Sequence, residues 1–216
     1  SPTAFLTKAP APSLKLRPFP RASVDRRRPR LPTKPIKLAP KKTARPHRDA
    51  PTDVSCAAGK VTTAARDGTL RVSKSRDDGA LVSVRQLVAA SKKALTASQL
   101  TDDGACIICC GWDCAISVYD AATGSLLRRL DDAHDAAMSC GRLRGAVFCS
   151  GAWDATVKLW AVSDLCGAED CIGPFLELVD HEAPVTCLAL SSNASLVVAG
   201  ADDGATRVGR RTTRVE

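Results

Sequence analysis

His134, Ser150 and Asp154 are the first residues of this 216-residue chain to suggest chemistry, because an imidazole, a hydroxyl and a carboxylate are the parts of a hydrolytic triad. Two features count against that use. No Gly-x-Ser-x-Gly elbow lifts Ser150 onto a strained turn, and the spacing recurs elsewhere in degraded form, as a structural unit does. The ten cysteines invite a metal or disulfide reading. Cys106, Cys109, Cys110 and Cys114 are crowded, but neighbours on an extended strand alternate faces, so Cys106 and Cys109 point apart and cannot chelate together. Cys140, Cys149 and Cys187 lie within apolar runs as small hydrophobes, and free thiols in a reducing compartment are expected. Cys166 and Cys171, flanking Glu169 and Asp170 in one loop, are the best candidates for a bridge or a metal. With three His in all, no paired carboxylates and no phosphate loop, the expectation is no enzyme, no catalytic residue, no metal and no cofactor.

The elements that carry these residues repeat. Thr63-Ala-Ala-Arg-Asp67-Gly-Thr-Leu-Arg-Val72, Cys109-Cys-Gly-Trp-Asp113-Cys-Ala-Ile-Ser-Val-Tyr119, Ser150-Gly-Ala-Trp-Asp154-Ala-Thr-Val-Lys-Leu-Trp160 and Ala199-Gly-Ala-Asp-Asp203-Gly-Ala-Thr-Arg-Val208 each read strand, turn, strand. Their turn aspartates lie 46, 41 and 49 residues apart. A period in the forties with an Asp in a hairpin turn predicts four-stranded propeller blades. β-rich runs at 61–65, 69–73, 81–88, 105–110, 115–119, 125–130, 145–150, 156–160, 175–179, 185–190, 196–199 and 205–208 alternate with turns. Asp-Gly pairs at 67–68, 78–79, 103–104 and 203–204 mark several reversals. The expected fold is all-β, a partial, open propeller of about four blades, with the last lacking its outer strand.

Residues 1–51 differ. They hold eleven of the thirteen prolines, and residues 1–50 hold fourteen Lys or Arg against Asp25 and Asp49. That is +12 in a chain of net charge +8, so the remainder carries −4. Such a segment cannot offset its ordering entropy by burial; it reads as a disordered basic arm ahead of a folded domain at 52–216. An Arg-rich, acid-poor arm also fits a transit peptide or a tether to anionic lipid or nucleic acid through residues 15–48, with Arg26-Arg27-Arg28 and Lys41-Lys42 at its centre. No apolar run approaches the about 20 residues that cross a bilayer. A start at Ser1 suggests a fragment or a processed product.

The order His134, Ser150, Asp154, Trp160 resembles the WD-repeat family. The resemblance implies a buried hydrogen-bond chain from the Trp indole through the Ser hydroxyl and the His imidazole to the turn Asp. The other repeats depart from it. The second has Cys109 and Tyr119 at the Ser and Trp positions and Lys92-Lys93 where the His would lie. The last has His181 and Asp203, but Ala199 and Gly209. Over roughly residues 66–206, the segments 110–120, 134–140, 150–160 and 176–185, with a long insertion after Trp160, are similar to the C-terminal propeller of the BEACH and WD-repeat proteins. That likeness implies a docking platform in membrane trafficking and signalling, cytoplasmic and peripheral to membranes. The expected function is a non-catalytic scaffold binding protein partners through the propeller rim, with Trp112, Trp153, Glu169 and Asp170 as candidate contacts. The alternative is a basic-arm protein held on an anionic surface, its propeller secondary.

Overall fold

The computed structural model describes residues 47–75, 81–88, 92–167 and 172–210, with residues 75 and 81–88 described by backbone alone. Among the described residues, fifteen strands form four antiparallel sheets in which strands adjacent in the chain pair with one another. The first holds β1 (Pro51–Ala57), β2 (Lys60–Ala65), β3 (Thr69–Ser75) and β4 (Leu81–Val88); the second β5 (Leu95–Leu100), β6 (Cys106–Gly111), β7 (Ile116–Asp120) and β8 (Leu126–Leu130). The third holds β9 (Met138–Arg144), β10 (Val147–Ala152), β11 (Val157–Ala161) and β12 (Leu176–Leu178), with a one-turn helix α1 (Val162–Cys166) between the last two. The fourth has three strands, β13 (Val185–Leu190), β14 (Leu196–Ala201) and β15 (Thr206–Arg210).

The core lies between sheets. Leu70 and Val72 of β3 meet Ile107, Cys109 and Tyr119 of the second sheet. Ile108, Ile116 and Val118, on that sheet's other face, meet Met138, Phe148 and Trp160 of the third. Cys149, Val157 and Leu159 in turn meet Val185, Leu188 and Val197 of the fourth. Because successive side chains take opposite faces, Ile107 and Ile108 belong to different cores. A sheet covered on both faces therefore reads as an unbroken apolar run, Ile107-Ile108-Cys109-Cys110, rather than an alternating one.

Neighbouring sheets are also joined along their first strands, β1 beside β5, β5 beside β9 and β9 beside β13, while no comparable packing joins β13 to β1 among the described residues. At each joint a hydroxyl donates to the first carbonyl of the following strand: Thr52 Oγ1 to Leu95 O (2.7 Å), Thr96 Oγ1 to Met138 O (2.9 Å) and Ser139 Oγ to Val185 O. A second series accepts from the sixth residue's amide: Ser55 Oγ from Leu100 N (3.2 Å) and Gln99 Oε1 from Leu143 N (3.3 Å).

Three of these first strands, β1, β5 and β9, are absent from the runs expected from sequence. Leu-Thr-Ala-Ser-Gln-Leu and Met-Ser-Cys-Gly-Arg-Leu-Arg carry few β-branched or aromatic residues. Small side chains are what the joint demands: a Cβ at Gly141 would stand 3.0 Å from the Ala97 methyl and 3.0 Å from the Phe148 ring. The arm also ends sooner than the expected boundary at 51/52. Pro51 already pairs with Ala65 in β1, and Ala50 O accepts from Arg66 N at 3.1 Å. The expectations of disorder, transit or tethering for residues 1–46 lie outside the described residues, as does the Asp78-Gly79 turn.

Candidate functional site

The hairpin between the second and third strands is the unit of the site. In the third sheet it brings together all four residues singled out above. Trp160 Nε1 donates to Ser150 Oγ at 2.9 Å, and His134 Nε2 lies 2.7 Å from that same oxygen. His134 Nδ1 lies 2.9 Å from Asp154 Oδ2. One proton arrangement satisfies every partner: the indole donates to Ser150, Ser150 donates to Nε2, and Nδ1–H donates to Asp154. Asp154 further accepts from Asp135 N (3.0 Å), Thr156 N (2.9 Å) and Thr156 Oγ1 (2.7 Å). Ser150 has no exposed surface and His134 almost none, so this hydroxyl cannot meet a substrate. The assembly does structural work.

The first sheet carries a second such chain that sequence reasoning missed. His47 Nε2 lies 2.7 Å from Thr63 Oγ1, and its Nδ1 lies 2.5 Å from Thr69 Oγ1 and 3.9 Å from Asp67. Asp67 accepts from Arg48 N at 2.7 Å and Thr69 N at 2.9 Å. The signal was available: His47 precedes Thr63 by 16 residues and Asp67 by 20, as His134 precedes Ser150 and Asp154. It lay hidden because residues 1–51 read as one arm. Ser73 stands at the Trp position and ends the chain of bonds early.

The other two sheets answer the turn Asp with arginine. In the second, Arg129 of β8 reaches Asp113 at 2.9 Å and Asp131 at 2.7 Å, so a cation comes to the turn Asp from the outer strand. In the fourth, Arg207 stands between the expected pair, 3.0 Å from His181 Nδ1 and 3.4 Å from Asp203.

The protonation states follow from this burial. His47, His134 and His181 are all held below the ordinary imidazole value, in each case chiefly because burial disfavours the charged ring. Burial works to raise Asp67, but the Thr69 hydroxyl, the Arg48 and Thr69 amides and His47 outweigh it and hold it at about 2. A base with a depressed folded pKa stabilises the fold fully above its unfolded value. That contribution fades as pH falls through about 6.5, where the unfolded chain binds more protons. The Asp67 contribution is lost only lower, from its ordinary 3.8 down toward about 2. Melting temperature measured by circular dichroism should therefore fall continuously from about pH 7 to pH 5; a flat profile across that interval would contradict neutral, buried imidazoles.

The buried thiols are quiet. Burial pushes Cys109 up to about 12 and Cys140 up to about 11. Cys106 and Cys109 belong to opposite faces of β6. Glu169, Asp170 and Cys171 lie outside the described residues. Cys166 packs instead into the core between the second and third sheets, the same core that Cys106 borders.

Outside the bonded chains, the hairpin tips present a row of side chains. Arg66, Trp112, Trp153 and Asp202 precede the four turn aspartates, and each donates its amide to a carbonyl just ahead of its sheet's first strand or at that strand's edge: Ala50 (3.1 Å), Ala94 (2.9 Å), Ala137 (3.0 Å) and Pro184 (3.0 Å). The residues that follow the aspartates, Gly68, Cys114, Ala155 and Gly204, all take positive φ, between 62° and 77°. The tips are thus alike in backbone and differ in what they display. Trp112 and Trp153 sit side by side, ring centroids 5.8 Å apart and planes at 48°, with about half of each exposed to solvent. Beside Trp112, an open pocket of about 320 Å³ is walled by Arg66, Pro51, Thr52, Leu95 and Ser139.

Residues 173–208 match the family model described as WD domain, G-beta repeat. That span of the chain is similar to a WD repeat. The matched span runs from β12, the outer strand of the third sheet, through β13, β14 and β15. The matched span is therefore offset by one strand from the sheet, taking its first strand from the third sheet and its other three from the fourth. The chain is 28% identical over 152 residues to WD repeat-containing protein 55 of Arabidopsis thaliana, a match covering 69% of this chain and 41% of that protein. It spans less than half the length of that relative. The structure is similar to the crystal structure of the computationally designed Ika4 protein, with a TM-score of 0.64 at 25% identity, covering 79% of this chain and 96% of the other. The WD-repeat resemblance therefore has support from both sequence and fold, in an all-β chain of four antiparallel sheets.

Proposed function

We propose that this chain is a non-catalytic scaffold that binds a protein partner through the row of hairpin tips, with Trp112 and Trp153 as its anchor. The observation that carries this reading is the exposed indole pair. Two large apolar rings are left half in water on backbones tied down by amide bonds, which is how a contact residue is preorganised and not how a core residue is packed. Arg66 on one side and Asp202 on the other supply a charged rim. WD repeats are in general protein-binding elements, which agrees with this use.

The test is affinity purification of the full chain against a Trp112→Ala/Trp153→Ala double variant, followed by titration of whatever partner is recovered. Loss of two aromatic anchors should weaken binding about 30-fold or more with little change in melting temperature, since both rings are solvent-facing. Equal binding by the two proteins would dismiss the rim. Participation in membrane trafficking, in the manner of BEACH proteins, is a narrower proposal resting on the segment likeness alone. Residues 15–48 offer a second reading, tethering to an anionic surface, because the arm's charge is opposite in sign to the rest of the chain. Salt separates the two: counterion release makes arm binding fall steeply between low and physiological salt, whereas rim binding changes little.

A further inference from the structure

At the end of the sheets opposite the hairpin tips, an open pocket of about 400 Å³ is set between the β5–β6 turn, the β9–β10 turn and α1, with Thr101, Asp103, Gly145 and Val162 in its wall beside Cys106 and Cys166. The two cysteines come from distant parts of the chain. Cys106 opens β6 and Cys166 closes α1, 60 residues later. They meet because α1 docks on a sheet to which its strands do not belong. Leu165 has no exposed surface and packs into the core between the second and third sheets. Just beyond it, the Arg128 guanidinium of β8 donates to Gly167 O at 2.7 Å, and at the other end of the helix Val162 N donates to Ala146 O at 2.9 Å. A helix of five residues has no stability of its own, so these three contacts fix where the Cys166 thiol sits.

The pair differs from the other described cysteines in its surroundings. Cys109, Cys110, Cys140 and Cys149 are buried, and Cys56 and Cys187 are exposed. Cys106 and Cys166 are half-buried, border one core and line one pocket. Burial first, and then the Cys106 thiol hydrogen-bonded to it, push Cys166 up to about 12. The two sulfurs are therefore direct neighbours, and the pocket gives a small solute a path to both.

We propose that Cys106 and Cys166 form a modification site, at which a peroxide entering this pocket converts the pair into a disulfide that clasps α1, and with it the β11–β12 connection, to the second sheet. Cys166 holds its proton, so the first attack falls to Cys106. Its thiolate takes one peroxide oxygen: the S–O bond forms, the O–O bond breaks, and the departing hydroxide is protonated to water. The Cys166 sulfur then attacks the Cys106 sulfenic acid, forming S–S as S–O breaks, and its proton leaves with the second water. Two thiols and one peroxide thus become one disulfide and two waters, sulfur being oxidised and peroxide oxygen reduced. A dithiol reductant reverses the bridge by exchange. The site lies at the far end of the strands from Trp112 and Trp153, so its failure leaves the rim reading untouched.

Peptide mapping by mass spectrometry tests the site, on the full chain treated with hydrogen peroxide and then alkylated without reduction. A cross-linked peptide joining Cys106 to Cys166 is expected within single chains, and it should disappear on treatment with dithiothreitol. Because the bridge closes a loop of 60 residues, the oxidised chain should melt about 5 °C or more above the reduced one; a bridge that leaves the melting temperature unchanged would remove the clasp. Cys166→Ser should show neither bridge nor rise, and its Cys106 should accumulate as a sulfenic acid that dimedone traps. Cys166 bridged to Cys171 instead overturns the proposal. So do free Cys106 and Cys166 thiols at a peroxide dose that oxidises the exposed Cys56 and Cys187. The mapping uses the unaltered chain, so it decides the matter even where the serine variant fails to fold.

Discussion

Asp154→Ala should cost this protein about 3 kcal/mol of stability, while Asp203→Ala, at the equivalent turn of the fourth sheet, should cost less than about 1. The difference lies in what each carboxylate leaves behind. Asp154 answers His134 Nδ1, two backbone amides and the Thr156 hydroxyl, with its side chain only 10% exposed. Removing it strands donors where water enters poorly, and the His134–Ser150–Trp160 chain loses the acceptor that sets the imidazole tautomer. Asp203 is met by one amide and by Arg207 at 3.4 Å in a more open site, where water substitutes. Urea denaturation of the two variants measures both values. Equal losses would mean that the buried chain adds nothing beyond an ordinary hairpin turn.

The largest effect should come from Phe148→Ala, at about 3–5 kcal/mol. Phe148 is among the largest side chains with no exposed surface, and it fills the core between the second and third sheets with Ile108, Met138 and Trp160. Its ring end presses on the place where Gly141 lacks a Cβ, so no larger neighbour is positioned to move into the space. Alanine leaves a cavity bounded by two stiff sheets, which relax little. Against a typical total stability of about 5–15 kcal/mol, such a loss uncouples the second sheet from the third. Hydrogen exchange should then show the amides of β5–β8 and β9–β12 opening independently. Phe148→Leu, which keeps most of the volume, should cost under half as much; a loss similar to that of alanine would point to ring shape rather than filled volume.

The residues of the bonded chains were legible to different degrees, for reasons that can be named. Asp154 and Trp160 stand out because a turn Asp with a fixed distance to an aromatic is a local pattern. His47 has the same 16- and 20-residue offsets to its partners as His134, but it sits among prolines and arginines whose composition says disorder, and composition outvoted spacing. Arg129 was not foreseeable at Asp113. It comes from β8, and its reach across the sheet depends on register, Ser117 opposite Arg129, which no short-range signal specifies.

By itself the sequence determined the repeat period, the turn aspartates, the strand-rich character and the residues of the best-kept hydrogen-bond chain. All of these depend on contacts within one hairpin, where chain distance and spatial distance agree. The tertiary structure alone decided the rest. The first strands β1, β5 and β9 have little intrinsic preference to be strands; they are held by hydroxyls and side-chain acceptors reaching across joints, and small residues occupy them because two sheets converge there. The span that matches the WD-repeat model and the sheet are offset by one strand, β12 pairing back onto β11, so the matched unit is not the unit that buries a core. Even the pairing of Trp112 with Trp153, 41 residues apart, exists only because successive sheets stack at a fixed angle and bring like positions of their hairpins into contact. A local pattern can name each indole; only the packing of one sheet on the next can place them 5.8 Å apart.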